Sequence, residues 1–138
     1  MIILDTNVLS EPLRRSPDAA VIDWLERAAG EAAITSISVG EMLVGARQLP
    51  QGRRREALLA AIENIIVTFA HEILHYDTEA ARIFAVLHER RATIGRPLSV
   101  EDGMIAAICV GAGAELATRN TKDFEGLGIA LINPWGKS

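Results

Sequence analysis

The chain has 138 residues, 49% of them hydrophobic and 23% charged, a globular composition for which size scaling leaves roughly two-thirds of the unfolded surface buried. No apolar run approaches the roughly 20 residues that span a bilayer, and 14 Lys and Arg against 18 Asp and Glu give a net charge of −4. Membrane, fibrous and disordered classes are thereby excluded, as is a module that holds nucleic acid by bulk charge alone. A lone cysteine, Cys109, cannot pair within the chain, and the N-terminus lacks a basic stretch leading into an apolar run. A cytoplasmic protein with one domain over residues 1–138 is expected.

In chain order, Met1 to Asp5 reads as a short apolar strand stopped by a carboxylate, the pattern of a strand covered on both faces. Ser16-Pro17-Asp18 offers an N-cap and first-turn proline for a helix striped by Val21, Leu25, Ala28 and Ala29, with Gly30 to close it. Ala32 to Thr35 predicts a second strand, and Ser36 or Ser38 opens a helix that runs to the Pro50-Gln51-Gly52 turn. Leu58, Ile62, Ile65 and Ile66 predict another helix, whose stripe suits the core or a docking surface.

Ile73-Leu74 suggests a brief strand, after which Asp77 caps a helix carrying Ala80, Ile83, Phe84 and Leu87. Gly95-Arg96-Pro97 breaks it. A helix apolar on all sides, and therefore deeply buried, starts at Ser99 and stops at Gly111-Ala112-Gly113. Glu115 to Thr118 and Ile129 to Ile132 give two last strands. Strands alternating with helices imply an α/β fold with a parallel sheet wrapped on both faces. The arginine clusters at 14–15, 47 with 53–55, and 90–91 with 96 read as solvated helix ends and loops. His88 reads as solvated, Cys109 as core, and Phe69, Tyr76, Phe84, Phe124, Trp24 and Trp135 as too scattered for a base-stacking platform.

Open parallel sheets bind ligands beyond the carboxyl ends of their strands, where strand order reverses. Asp5 ends the first strand, Glu41 falls in the first turn after the second, Asp102 opens the buried helix, and Asp123 follows the fourth strand. Four such acids meeting at one rim would repel unless protonated or paired with cations, and hard divalent ions with oxygen ligands, Mg²⁺ or Mn²⁺, suit them. Each acid also has a structural reading. Ser38-x-x-Glu41 and Ser99-x-x-Asp102 are spaced as capping boxes, Asp5 can bond its own turn, and Asp123 can cap a turn before Phe124.

The segments Asp5-Thr6-Asn7-Val8-Leu9-Ser10-Glu11, Thr35-Ser36-Ile37-Ser38-Val39-Gly40-Glu41, Glu101-Asp102-Gly103-Met104-Ile105-Ala106-Ala107 and Thr118-Arg119-Asn120-Thr121-Lys122-Asp123-Phe124 resemble, in order and over nearly the whole chain, a PIN domain. More narrowly they resemble VapC-type toxin ribonucleases of the FitB-like branch, from type II toxin–antitoxin systems. The resemblance implies a three-layer α/β/α fold around four to five short parallel strands. It implies a Mg²⁺-dependent endoribonuclease, with Mn²⁺ as a substitute, acting on RNA. It further implies a homodimer restrained by a cognate antitoxin, with operator DNA bound only through that antitoxin. By the same resemblance Asp5 and Asp102 are the principal metal ligands, Glu41 the third acid and Asp123 the fourth, with Thr6 and Asn120 supporting them. Glu101 would face about 100° away from Asp102 on a helix, toward the surface or a dimer contact.

Three rivals remain open in the sequence. His71-Glu72-Ile73-Leu74-His75 matches the zinc metallopeptidase pattern H-E-x-x-H, which needs a helix; on a strand the two histidines would stand about 13 Å apart. A strand-end aspartate also suits a phosphoaspartyl enzyme, although Asp5-Thr6-Asn7 lacks the usual second aspartate. The third is a non-enzymatic binding module of the same fold.

Overall fold

A computed structural model describes residues 1–136; the last two residues of the expected 1–138 domain lie outside the described residues. The elements in chain order are β1 (Ile2–Leu4), α1 (Thr6–Leu9), a 3-10 turn (Glu11–Leu13), α2 (Ala19–Ala28), β2 (Ala32–Thr35), α3 (Ser36–Arg47), α4 (Arg53–Phe69) and β3 (Glu72–Leu74). They continue with α5 (Thr78–Thr93), α6 (Val100–Ala112), β4 (Glu115–Ala117), a second 3-10 turn (Thr121–Phe124) and β5 (Leu131–Ile132). The five strands form one sheet in the order β3-β2-β1-β4-β5, and every pairing is parallel. The expected three-layer α/β/α architecture is therefore the observed one.

Period-two alternation splits the core in two. Ile3, Ala33 and Leu116 face one side, where they pack with Ala80, Leu87, Ile105 to Cys109 and Phe124 from α5, α6 and the second 3-10 turn. Their neighbours Leu4, Ile34 and Ala117 face the other, against Val8, Leu9, Val21, Leu25, Met42, Ala46, Ile62, Ile65 and Ile66 from α1 to α4. Cys109 is buried in the first cluster and the Ile62, Ile65, Ile66 stripe in the second, so both are core.

The chain leaves β1 toward β2 and β3 on one flank and later returns to fill β4 and β5 on the other. Strand order thus reverses at the β1–β4 seam, the place beyond the strand ends where open parallel sheets bind their ligands. The register pairs Leu4 with Ala117, which sets Asp5 beside Thr118 at that seam.

Two predicted caps shift. Asp18, rather than Ser16, caps α2, its Oδ1 accepting from the N–H groups of Ala20 at 2.8 Å and Val21 at 3.3 Å, so Pro17 precedes the helix instead of opening it. Thr35, the last residue of β2, caps α3 by accepting from the Ser38 N–H at 3.1 Å. Strand passes into helix with no loop, which moves Glu41 to the second turn and removes it from the capping box. Asp77, Ser99 and Gly113 play the expected parts, the last as a left-handed C-cap at φ 64°.

Candidate active site at the carboxyl rim of the sheet

Asp5 is 5% exposed and is the N-cap of α1. Its Oδ1 accepts from the Thr6 N–H at 2.9 Å; its Oδ2 accepts from the Thr118 hydroxyl at 2.8 Å and the Asn7 amide at 3.2 Å. None of these donors carries a charge. Burial therefore dominates and pushes the Asp5 carboxyl up to about 6; the Thr118 and Thr6 hydrogen bonds pull against it, while the negative charges of Asp102 and Glu41 push it further.

Glu41 is exposed on α3 and is reached from α1. The Thr6 hydroxyl lies 2.7 Å from Glu41 Oε1 and 2.8 Å from Ser38 Oγ. A hydroxyl has one proton to give, so Thr6 donates to the carboxylate and accepts from Ser38. Thr6 thus joins Glu41 to Ser38 across α1 and α3.

Asp102 sits in the first turn of α6, half-buried, with its backbone N–H capped by Ser99 Oγ at 3.2 Å. Its carboxyl is raised, first by burial; Ser99 opposes this, Asp123 and Glu101 add to it, and the Arg91 cation lowers it. Gly103, the next residue, lets α6 close onto α5: a Cβ there would stand 2.6 Å from Phe84 Cε2. The Phe84 ring cannot easily yield, because it packs edge-on against Tyr76 with centroids 6.3 Å apart and against His88 at 5.9 Å. Glu101 is exposed, as its position on the helix predicts.

Asp123, also exposed, lies in the second 3-10 turn. That turn is held from beneath by an arginine which the sequence reading places in solvent. Arg91 is 3% exposed. Its guanidinium donates to the backbone carbonyls of Asp123 and, at 3.1 Å, of Arg96, while Arg96 donates to the Lys122 carbonyl at 2.9 Å. Arg91 falls on the buried side of α5 one turn beyond Leu87, a periodic signal that its charge conceals. Asn120 acts through its backbone, the N–H donating to Thr118 Oγ1 at 3.0 Å, one hydrogen bond removed from Asp5.

The rim therefore brings Asp5 within electrostatic reach of both Asp102 and Glu41, and Asp102 within reach of Asp123. Among the described residues no three of His, Cys, Asp and Glu are close enough to enclose an ion unaided. The donor set fits a hard cation that keeps much of its water shell and takes only one or two carboxylates directly, as Mg²⁺ does, rather than a closed tetrahedral zinc site. Cys109 is no reagent here, since burial, helped by the Asp5 charge, pushes its thiol up to about 12.

Sequence reasoning missed Thr118 as a partner of Asp5. The available signal was register, because Thr118 follows β4 as Asp5 follows β1. The zinc-peptidase pattern fails on geometry: Glu72, Ile73 and Leu74 form β3, with His71 and His75 at its two ends. An extended chain sets them about 13 Å apart, too far to share one zinc.

A model of the PIN domain matches residues 2–129. The chain belongs to the PIN-domain family. VapC ribonuclease Y4jK of Sinorhizobium fredii is 37% identical to this PIN domain over 137 residues, spanning 98% of each chain. Toxin FitB of Neisseria gonorrhoeae is 36% identical, spanning 98% of this chain and 99% of its own. The solved structure of FitAB bound to an IR36 DNA fragment matches the fold with a TM-score of 0.91 at 36% identity, over 100% of this chain and 98% of that one.

Proposed function

We propose that this PIN domain is a divalent-cation-dependent endoribonuclease, the toxin of a toxin–antitoxin pair. The observation that carries the reading is Asp5: a carboxylate taken out of water at the switch point of the sheet, bonded only by neutral donors, and pressed by the charges of two further acids. A buried charge left in that state favours either a proton or a cation. Likeness to a VapC ribonuclease and to the toxin FitB, each over nearly the full chain, supports the activity and its toxin role.

Asp5 and Asp102 are the direct ligands in this reading, with Glu41 and Asp123 completing the acidic ring and acting through water. When bound, Mg²⁺ or Mn²⁺ supplies a water of lowered pKa and neutralises charge on the phosphodiester. The protein's own part is positional. Thr118, Asn7 and the Thr6 N–H fix the Asp5 carboxylate, Thr6 and Ser38 orient Glu41, and Arg91 holds the turn bearing Asp123. In this reading water, not the RNA 2′-hydroxyl, attacks the phosphorus and the 3′-oxygen leaves, taking a proton, so the products would carry 5′-phosphate and 3′-hydroxyl ends.

The overall charge of −4 suits contact with operator DNA through an antitoxin rather than by the toxin itself, and the FitAB assembly with DNA supports that arrangement. Among the described residues no helix is long and apolar enough to cross a membrane. A homodimer acting in the cytoplasm completes the proposal.

The test is cleavage of single-stranded RNA by purified protein with Mn²⁺, beside Asp5→Asn, Asp102→Asn and a chelated control, with the product ends mapped. Loss of cleavage in both variants and in chelator is expected. Full activity in excess EDTA, or 2′,3′-cyclic phosphate ends, would overturn it, and no Mn²⁺ binding at all would favour a non-enzymatic module.

A further inference from the structure

Beside the acidic rim lies a cleft of about 520 Å³ lined by Arg119, Asn120, Thr121, Lys122, Asp123, Asn133 and Trp135, a volume within the range of small-ligand sites, roughly 300–1,000 Å³. Its wall is a stack. The Arg119 guanidinium carbon stands 4.9 Å from the centroid of the Trp135 ring. The two residues come from the ends of neighbouring strands, since β4 pairs with β5 and the Thr118 N–H donates to the Ile132 carbonyl at 2.9 Å.

Both partners are held in place from behind. The Arg119 N–H donates to Asn7 Oδ1 at 3.2 Å, and Asn7 also donates to Asp5. Trp135 is fixed by a turn in which its N–H donates to Asn133 Oδ1 at 2.9 Å, and its ring packs partly on the core. The opposite lip is the turn whose carbonyls at Lys122 and Asp123 are held by Arg96 and Arg91. The cleft is therefore preorganised; it shares Asp123 with the acidic rim and is tied to Asp5 through Asn7 behind it.

Resting on the nuclease reading above, we propose that this cleft is a nucleotide subsite, in which an unpaired RNA base next to the scissile phosphate stacks on the Arg119–Trp135 pair. Aromatic rings and guanidinium planes stack on any base whose face is free, which a single strand offers and a duplex does not. Lys122 adds positive charge beside an otherwise acidic rim, where it can meet the backbone phosphates. The aromatics that look scattered in sequence need only one member here, because the second platform is an arginine.

Two measurements test the subsite. In the first, cleavage with Mn²⁺ uses a single-stranded RNA and a series in which one nucleotide at a time, on either side of the cut, is made abasic. Wild type is expected to show KM raised about tenfold at one flanking position, with kcat little changed. Arg119→Ala and Trp135→Leu are expected to raise KM on intact RNA similarly and to lose the abasic penalty, a coupling that a purely structural role would not produce. Arg119 is exposed, so its variant stays informative even if Trp135→Leu folds poorly.

In the second, Trp24→Phe leaves Trp135 as the sole tryptophan, and fluorescence is followed in EDTA as an uncleaved single-stranded RNA is added. Quenching by the single strand, much weaker with duplex and abolished by Arg119→Ala, supports the subsite whether or not the protein cleaves. Unquenched Trp135, or unaltered KM and abasic penalty in Arg119→Ala, overturns it and leaves the cleft to a protein partner, while the nuclease reading still stands or falls on Asp5→Asn.

Discussion

Asp5 and Glu11 are two acidic side chains six residues apart, 5% and 2% exposed respectively, yet they are built for opposite ends. Glu11 is tied down: its Oε2 accepts from the Asp18 N–H at 2.8 Å and its Oε1 pairs with Arg14 at 3.4 Å, which pins the loop that leads into α2. Asp5 receives only neutral donors and faces other acids. A buried carboxylate with its own cation reads as architecture; one bonded only by neutral donors and facing other acids favours a proton or a cation.

Substitution should separate the two acids most sharply. Asp5→Asn is expected to lower RNA cleavage about a thousandfold, the scale of several kcal/mol of cation-borne stabilisation, with the fold retained by circular dichroism, whereas Glu11→Gln should leave kcat unchanged. A smaller effect comes from Arg91, which supplies the cation beneath the rim. Arg91→Ala strands the Asp123 and Arg96 carbonyls and opens a void, at a cost of about 2–4 kcal/mol in chemical denaturation.

Next in size is the pH dependence of the metal-free protein. Folding raises the Asp5 carboxyl to about 6 from an ordinary value of about 3.9, so between those values the folded state holds a proton that the unfolded chain has released. Stability should therefore fall as pH rises from about 4 to about 6 and level off above, by up to about 3 kcal/mol from this group. Asp5→Asn should flatten that slope and Glu11→Gln should not. Smallest is the stability cost of Glu11→Gln itself, about 1–2 kcal/mol in denaturant, because the amide keeps an acceptor for the Asp18 N–H but loses its charge.

Much of this arrangement is legible in the residues. Apolar runs, Asp77 and Ser99 as caps, and the Gly113 stop give the element order, and the rule for open sheets gathers Asp5, Glu41, Asp102 and Asp123 at one rim. What escapes the sequence is contact between distant segments. The Thr118–Asp5 bond spans 113 residues and depends on β1–β4 register, while the Thr6–Glu41 bond depends on α3 starting directly after Thr35. Arg91 is hidden for a different reason: its charge suggests solvent, yet backbone carbonyls from another turn make burial tolerable. The H-E-x-x-H spacing stays open as a rival in sequence, though Ile73-Leu74 already suggests a strand there, and β3 makes it extended.

The central claim is that the Asp5 rim holds a divalent cation, and titration calorimetry of Mn²⁺ into metal-free protein at pH 7.5 tests it most directly. Saturable heat is expected in wild type and Glu11→Gln, lost in Asp5→Asn. No binding by wild type, or equal binding by all three proteins, would contradict it.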